Sequence, residues 1–223
     1  MSSADVKHIT FYFDFISPYA FLAFEKLPQM LAGQSYRVSY KPVLFAALLK
    51  HHGQLGPAEI AGKREWTYRQ VMWLADQQGT RLTMPQTHPF NPLGLLRLAL
   101  ACAGQNLDGS AGTPSRFVVE TIFHHVWQSG LDAADGARLV ALAARLQPPL
   151  DLAEAQVKER LQVSTTNAIA DGVFGVPSYR IDDKLFWGLD ALPMLRGYMG
   201  QEPWFVSPAW QTASNVTIGK TRI

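Results

Sequence analysis

Residues 8–15 read HITFYFDF, a run of β-branched and aromatic residues that predicts a strand. The chain passes from it through Ile16 and Ser17-Pro18 directly into a run with helical spacing. This abrupt junction restricts the fold, because Ser is a favoured helix cap and Pro a favoured first helical residue. In the helix that follows, Tyr19, Leu22, Ala23 and Lys26 fall on one side, while Phe21, Phe24 and Pro28 fall on others. A helix apolar all round predicts burial, with Pro28 bending or ending it. Gly33 closes the unit, and YRVSYKPV (36–43) reads as a second strand. Two strands joined by a helix favour parallel pairing. A chain of 223 residues, 48% of them apolar and 17% charged, can bury a sizeable core around such a unit.

From about Leu44 to Gln147 strand signals are absent. LFAALLKHH, KREWTYRQVMWLADQQG, NPLGLLRLALACAG, SRFVVETIFHHVWQSG and DAADGARLVALAARL each carry helical periodicity, punctuated by Gly and Pro. After Pro148-Pro149 a helix over about 151–173 is expected, with Val157, Leu161, Ser164 and Ala168 on one stripe. GVPSYRI then predicts a strand starting at a proline, Asp182-Asp183 a turn, and KLFWG a short strand. Asp190 is expected to cap a last helix with Pro193 in its first turn. The order β-α-β, helices, α-β-β-α predicts an α/β, thioredoxin-like fold interrupted by an all-helical insertion domain. The expected domains are 1–43 plus 151–200, the insertion 44–150, and a tail 201–223. Trp204, Phe205 and Trp210 make that tail too apolar to float free, so it is expected to pack on the body or on a partner subunit.

Charge and cysteine use narrow the function. A net charge of +2, with Lys and Arg scattered, argues against a nucleic-acid partner. One cysteine, Cys102 in the apolar run LRLALACAG, cannot form an internal disulfide and reads as a small core residue. The start MSSADVKHITFYFDF lacks the pattern of a signal peptide, and its apolar stretch is too short to span a bilayer. A soluble, cytoplasmic protein with no membrane partner is expected. His51-His52 and His124-His125 are adjacent pairs whose rings point about 100° apart on a helix, unlike a zinc-gripping i, i+4 pair. No metal is expected, nor is a Ser-His-Asp triad or a phosphate-binding Gly loop apparent.

In a thioredoxin-like fold the redox Cys-x-x-Cys motif opens the helix after the first strand, the place taken here by Ser17-Pro18-Tyr19-Ala20. Without either sulfur, disulfide cycling is excluded. Ser17 can be a helix cap alone. Equally, a hydroxyl beside a positive helix end and free N–H groups is a seat for an external thiolate. Pro177 in GVFGVPSYRI can simply start an edge strand. If the Val176-Pro177 bond is cis, it turns the Val176 backbone outward to pair with an extended peptide.

FDFISPYAF, the Lys50 and Lys63 neighbourhoods, NAIADGVFGVPSY and FWGLD together resemble the 2-hydroxychromene-2-carboxylate isomerases and the related kappa-class glutathione transferases over roughly residues 8–200. The resemblance implies glutathione as cofactor, with Ser17 as the catalytic residue at its sulfur and Val176-Pro177 against its cysteinyl unit. Trp187, Gly188, Leu189 and Asp190 would hold the γ-glutamyl end, Asp190 through charge-assisted bonds to its ammonium. Gln54 falls where kappa enzymes carry Asn. Lys50 aligns with a lysine that faces the organic acid in the isomerases, although a solvated lysine at a helix end is an equal reading. Trp66 stands where the family shows Tyr and Gln70 where kappa enzymes have Asp, and these departures leave the shape of the acceptor pocket, and with it the aromatic substrate, open. Asn91, in His88-Pro-Phe-Asn-Pro92, is a further pocket candidate or an Asx-turn residue. The expected activity is glutathione-dependent isomerisation of 2-hydroxychromene-2-carboxylate, or a close aromatic analogue, in aromatic-compound catabolism, by a homodimer. A kappa-type transferase and a glutathione-binding module without chemistry are the alternatives.

Overall fold

The computed structural model describes residues 6–106, 110–213, 215–217 and 219. Strand β1 (Lys7–Phe13) lies inside a four-stranded sheet and follows the period-two rule. Ile9, Phe11 and Phe13 enter the main core, while Tyr12 faces a smaller cluster with Val43, Leu48, Ala168, Val173 and Val176. Helix α1 (Pro18–Met30) follows with Pro18 in its first turn, and Ser17 caps it by accepting from the Ala20 N–H at 3.2 Å. Pro28 lies inside its last turn and the helix ends two residues later. Phe21, Leu22, Ala23 and Phe24 are all fully buried, as the all-round apolar pattern requires.

Strand β2 (Tyr36–Pro42) pairs parallel with β1, Lys7 opposite Tyr36 through Phe13 opposite Pro42. β3 (Ser178–Ile181) runs antiparallel to β1, and β4 (Lys184–Trp187) antiparallel to β3. The strand order is β2-β1-β3-β4. Between β2 and β3 lie α2 (Phe45–His51), α3 (Ala61–Gln77), α4 (Leu93–Ala101), α5 (Arg116–Trp127), α6 (Gly136–Leu146) and α7 (Ala155–Ala170). Ser115 and Asp135 cap α5 and α6 through Val118 N–H and Arg138 N–H. Phe123 of α5 sits among the rings of Phe13, Phe15, Phe21 and Phe24, with centroids 4.9–5.9 Å away, so helix α5 and β1 share one aromatic core.

Several expected boundaries move: β1 ends at Phe13 and not 15, β2 at Pro42 and not 43, and α7 at Ala170 and not 173, and two further changes have a visible cause. Helix α7 starts at Ala155, not 151, because Asp151 forms a turn, its carboxylate accepting from Ala153 N–H at 2.7 Å. The last helix, α8 (Leu192–Met199), is not capped by Asp190: a 3-10 turn over Leu189–Ala191 precedes it, and no side chain caps either element. The Gly188 carbonyl takes the Ala191 N–H at 3.3 Å, and Pro193 has no N–H for a cap to serve.

The tail packs on the body. After a 3-10 turn, Pro203–Val206, comes α9 (Pro208–Ala213), and Phe205, 6% exposed, meets the rings of Phe186 and Tyr198 at 6.2 and 5.3 Å. Residues 214, 218 and 220–223 of the expected tail lie outside the described residues. Among the described residues no helix is long and apolar enough to cross a membrane. Phe205→Ala should destabilise the chain by about 3 kcal/mol, the low end for emptying a buried aromatic site. Urea unfolding measures this, and an unchanged midpoint would mean that the tail adds nothing to the fold.

Candidate active site

The sheet registers bring distant segments to one end. β1 and β2 are parallel and finish together at Phe13 and Pro42, so the Ser17 turn and α2 leave the sheet on the same side. β3 begins at Ser178 opposite Tyr12, and β4 ends at Trp187 opposite Ser178. Val176, Pro177 and the segment Trp187-Gly188-Leu189-Asp190 therefore flank the turn that carries Ser17. The Gly188 N–H donates to the Pro177 carbonyl at 2.9 Å, joining the two segments directly. The Val176–Pro177 bond is cis.

The turn from Asp14 to Ser17 is buried except at half-buried Ile16, and its backbone carbonyls are paired, as burial demands. Ile16 N–H donates to Asp14 Oδ1 at 3.1 Å, and Ser17 N–H to the Asp14 carbonyl at 3.1 Å. The Trp127 indole N–H donates to the Phe15 carbonyl at 2.9 Å, and His88 Nε2 lies 2.8 Å from the Ile16 carbonyl. Asp14 Oδ2 accepts from Phe45 N–H at 2.9 Å, tying the turn to the start of α2. Burial pushes the fully enclosed Asp14 carboxyl up to about 7, while its bonds from Phe45, Ile16 and Phe15 N–H pull the other way. The Ser17 hydroxyl, 7% exposed, accepts from Ala20 N–H, and its own proton has no acceptor among the described residues.

Gly175 and Gly188 shape the opposite wall. A Cβ at Gly175 would come within 2.6 Å of Trp187 Nε1, so only glycine allows this approach. Trp187, 54% exposed, packs its ring on Phe174 with centroids 4.9 Å apart. Gly188 has φ +102°, and a Cβ there would collide with the Asp190 carboxylate. Asp190 is exposed and makes no hydrogen bond or ion pair with the described residues. It lies close enough to Tyr19 and Tyr179 for its charge to push both phenols up, although burial is the larger cause in each.

The remaining expected residues are spread around this end. Lys50 sits in the last turn of α2 and Gln54 just beyond it, both exposed. Trp66, 63% exposed, is one turn before Gln70 on α3, and Gln70 Oε1 accepts from the Tyr19 hydroxyl at 2.6 Å. That bond docks α3 onto the first turn of α1. Asn91 Oδ1 accepts from Leu93 N–H at 3.1 Å, so its side-chain oxygen is engaged in an Asx turn. Sequence reasoning passed over Asp14, Tyr19, Tyr68, His88 and Trp127. A signal existed for Asp14, the one charge in FYFDF.

The histidine reading needs a correction. Only the adjacent histidines were weighed in the sequence, and the fold sets Glu25 and Glu120 around His124, their ligand-type atoms within 4.8 Å of one another. Glu120 is the i−4 neighbour of His124 on α5, a spacing already present in the sequence, whereas Glu25 comes from α1 and only folding brings it near. These groups are already engaged: His124 Nε2 meets Glu25 at 2.9 Å within the group, and Arg116 meets Glu120 at 3.6 Å from outside it. Cys102 packs partly buried against the core, and burial raises its thiol to about 11, which makes it a poor nucleophile.

The family model of the DSBA-like thioredoxin domain matches residues 8–200, and the chain belongs to this family. It is 28% identical over 203 residues to the 2-hydroxychromene-2-carboxylate isomerase of Sphingobium xenophagum, covering 86% of this chain and 98% of that protein. It is 23% identical over 212 residues to glutathione S-transferase kappa 2 of Caenorhabditis elegans, covering 87% and 92% of the two chains. A solved 2-hydroxychromene-2-carboxylate isomerase superposes with a TM-score of 0.73 at 23% identity, over 94% of this chain and all of that one.

The buried Asp14 gives a prediction with a definite sign. Its folded pKa of about 7 exceeds the ordinary 3.8, so folding takes up a proton between those values. Its stabilising share is complete below the unfolded value and is lost as pH rises through about 7. Urea midpoints at pH 5 and pH 8 should therefore fall further in the wild type than in Asp14→Asn. Parallel losses would mean that Asp14 is ionised at both pH values.

Proposed function

We propose that this chain is a glutathione-dependent isomerase acting on 2-hydroxychromene-2-carboxylate or a close aromatic analogue. The observation that carries the reading is Ser17: a buried hydroxyl with a free proton, at a helix N-terminus where thioredoxin-like enzymes place a redox cysteine. The residues fit the tripeptide. Ser17 offers a donor for a thiolate, the Val176 backbone at the neighbouring strand start offers pairing to the cysteinyl unit, and unpaired Asp190 offers a partner for the γ-glutamyl ammonium. Glutathione when bound would supply a thiolate that adds reversibly to an unsaturated carbon, so that the bond can rotate before the thiol is expelled.

Each protein group then has a defined task. The Ser17 hydroxyl donates to the sulfur and, with the positive end of α1, lowers a thiol value of about 8.5 toward neutrality. Ser17 is a thiolate stabiliser, since among the described residues no general base touches its hydroxyl. Lys50 is the cation for the organic acid, Trp66 and Asn91 border the acceptor side, and Gln54 is a further contact for glutathione. Trp187 and Leu189 flank the γ-glutamyl end. A reducing cytoplasm would keep the cofactor as a thiol, and a homodimer would cover the exposed Met72 and Trp73 of α3.

The isomerase names among the relatives favour isomerisation, and the kappa transferase at 23% identity keeps conjugation as the second reading. The fate of the sulfur separates them. Trace glutathione should convert many equivalents of the chromene with the free thiol constant; thiol loss matching product would establish the transferase. Ser17→Ala should lower turnover about 10- to 100-fold, the value of a hydrogen bond to a charged group, with a smaller change in glutathione affinity. Full activity in Ser17→Ala would reduce Ser17 to a helix cap.

A further inference from the structure

The turn before Ser17 is held from the helical segment by an imidazole whose tautomer the geometry fixes. The Ile16 carbonyl can only accept, so its 2.8 Å contact with His88 Nε2 requires the proton on Nε2. In the neutral ring Nδ1 is then an acceptor. The Tyr68 hydroxyl donates to the His88 carbonyl at 2.8 Å and lies equally 2.8 Å from Nδ1, so its single proton is shared between these two acceptors. Burial lowers the His88 pKa, which favours this neutral form, although the bond to Ile16 opposes the shift. The ring is packed as well as bonded, with Trp127 and Phe90 centroids at 5.5 and 6.0 Å.

The Ile16–Ser17 peptide plane is thus gripped at both ends. His88 holds its carbonyl, and the Asp14 carbonyl holds its N–H at 3.1 Å. One peptide earlier, Trp127 holds the Phe15 carbonyl. With that plane fixed, Ser17 keeps its extended cap conformation, φ −90° and ψ 113°, which aims Oγ at the N-terminus of α1. Two of the three grips come from residues between β2 and β3, so the helical segment sets the aim of a hydroxyl on the sheet domain.

We propose that His88, aligned by Tyr68, is a positioning residue: by binding the Ile16 carbonyl it holds the Ser17 hydroxyl where a thiolate can use it. This rests on the reading of Ser17 as a thiolate stabiliser.

Two measurements test it. In the ligand-free protein, nitrogen-15 NMR of the His88 ring should show Nε2–H and a bare Nδ1; an Nδ1–H tautomer would overturn the proposal, because Nε2 could not then donate. In the glutathione complex, thiolate absorbance against pH should place the bound thiol pKa higher in His88→Leu than in wild type, shifted toward that of Ser17→Ala. Turnover should fall about three- to tenfold, the range of one neutral hydrogen bond, while glutathione affinity changes less. His88→Gln keeps an N–H that reaches the Nε2 position and should restore most of the pKa. Equal defects in the Leu and Gln variants, or an unmoved pKa in Leu, would reject positioning. If His88→Leu fails to fold, Tyr68→Phe replaces it: loss of the Tyr68 bond should populate Nδ1–H and raise the thiol pKa by a smaller amount, and no change in either rejects the proposal. A wild type that neither binds glutathione nor lowers its thiol pKa would instead reject the glutathione reading, while the tautomer result still judges the clamp.

Discussion

The Asp14 carboxylate, fully buried at the end of β1, is the constraint on which the rest of the architecture depends. It accepts from Ile16 N–H and from Phe45 N–H, so one side chain closes the turn before α1 and fixes the start of α2. A buried carboxylate is costly unless its oxygens are satisfied. This one is satisfied only when the turn after β1 and the start of α2 stand in their native relation. Removing it would leave buried backbone donors without partners, a cost separate from any packing loss. The turn is therefore built in one geometry, and Ser17 inherits that geometry.

Around this turn the two halves of the chain divide the work. The sheet registers collect Val176, Pro177 and the Trp187-to-Asp190 segment at the end of β1 where Ser17 sits. The segment between β2 and β3 supplies Trp127 of α5 and His88 of the α3–α4 connection to the turn, and Gln70 of α3 to Tyr19. The helical segment is thus a structural part of the turn that carries Ser17. Phe123, packed among four rings from β1, the turn and α1, makes the two parts one core.

The fold was legible because its signals are local. HITFYFDF, the Ser17-Pro18 junction and GVPSYRI mark strand and helix ends by residue type alone, and their order predicts the thioredoxin-like topology that the family match shows. Ser17 was legible for the same reason, as a cap, whereas Gly188 entered only through the resemblance and its positive φ came from the fold. Tyr68, His88 and Trp127 were not, because they act through bonds to backbone carbonyls 20, 72 and 112 positions distant. Nothing in HPFNP distinguishes a histidine that grips Ile16 from one in solvent. The Glu25, Glu120 and His124 grouping was hidden likewise, since Glu25 arrives from another helix. Asp190 misled in the opposite way: an Asp two residues after a glycine reads as a cap, but the Gly188 carbonyl already takes the Ala191 N–H and leaves the carboxylate free.

The central claim is that glutathione lies at this end of the sheet with its sulfur on Ser17, and a crystal structure of the chain with glutathione tests it most directly. The account predicts the sulfur within hydrogen-bond distance of Ser17 Oγ, the cysteinyl backbone paired with Val176, and the γ-glutamyl ammonium at Asp190. Glutathione bound elsewhere, such as the cleft between Arg37 and Arg116 at the far end of α1, or seated here with its sulfur turned from Ser17, would contradict it.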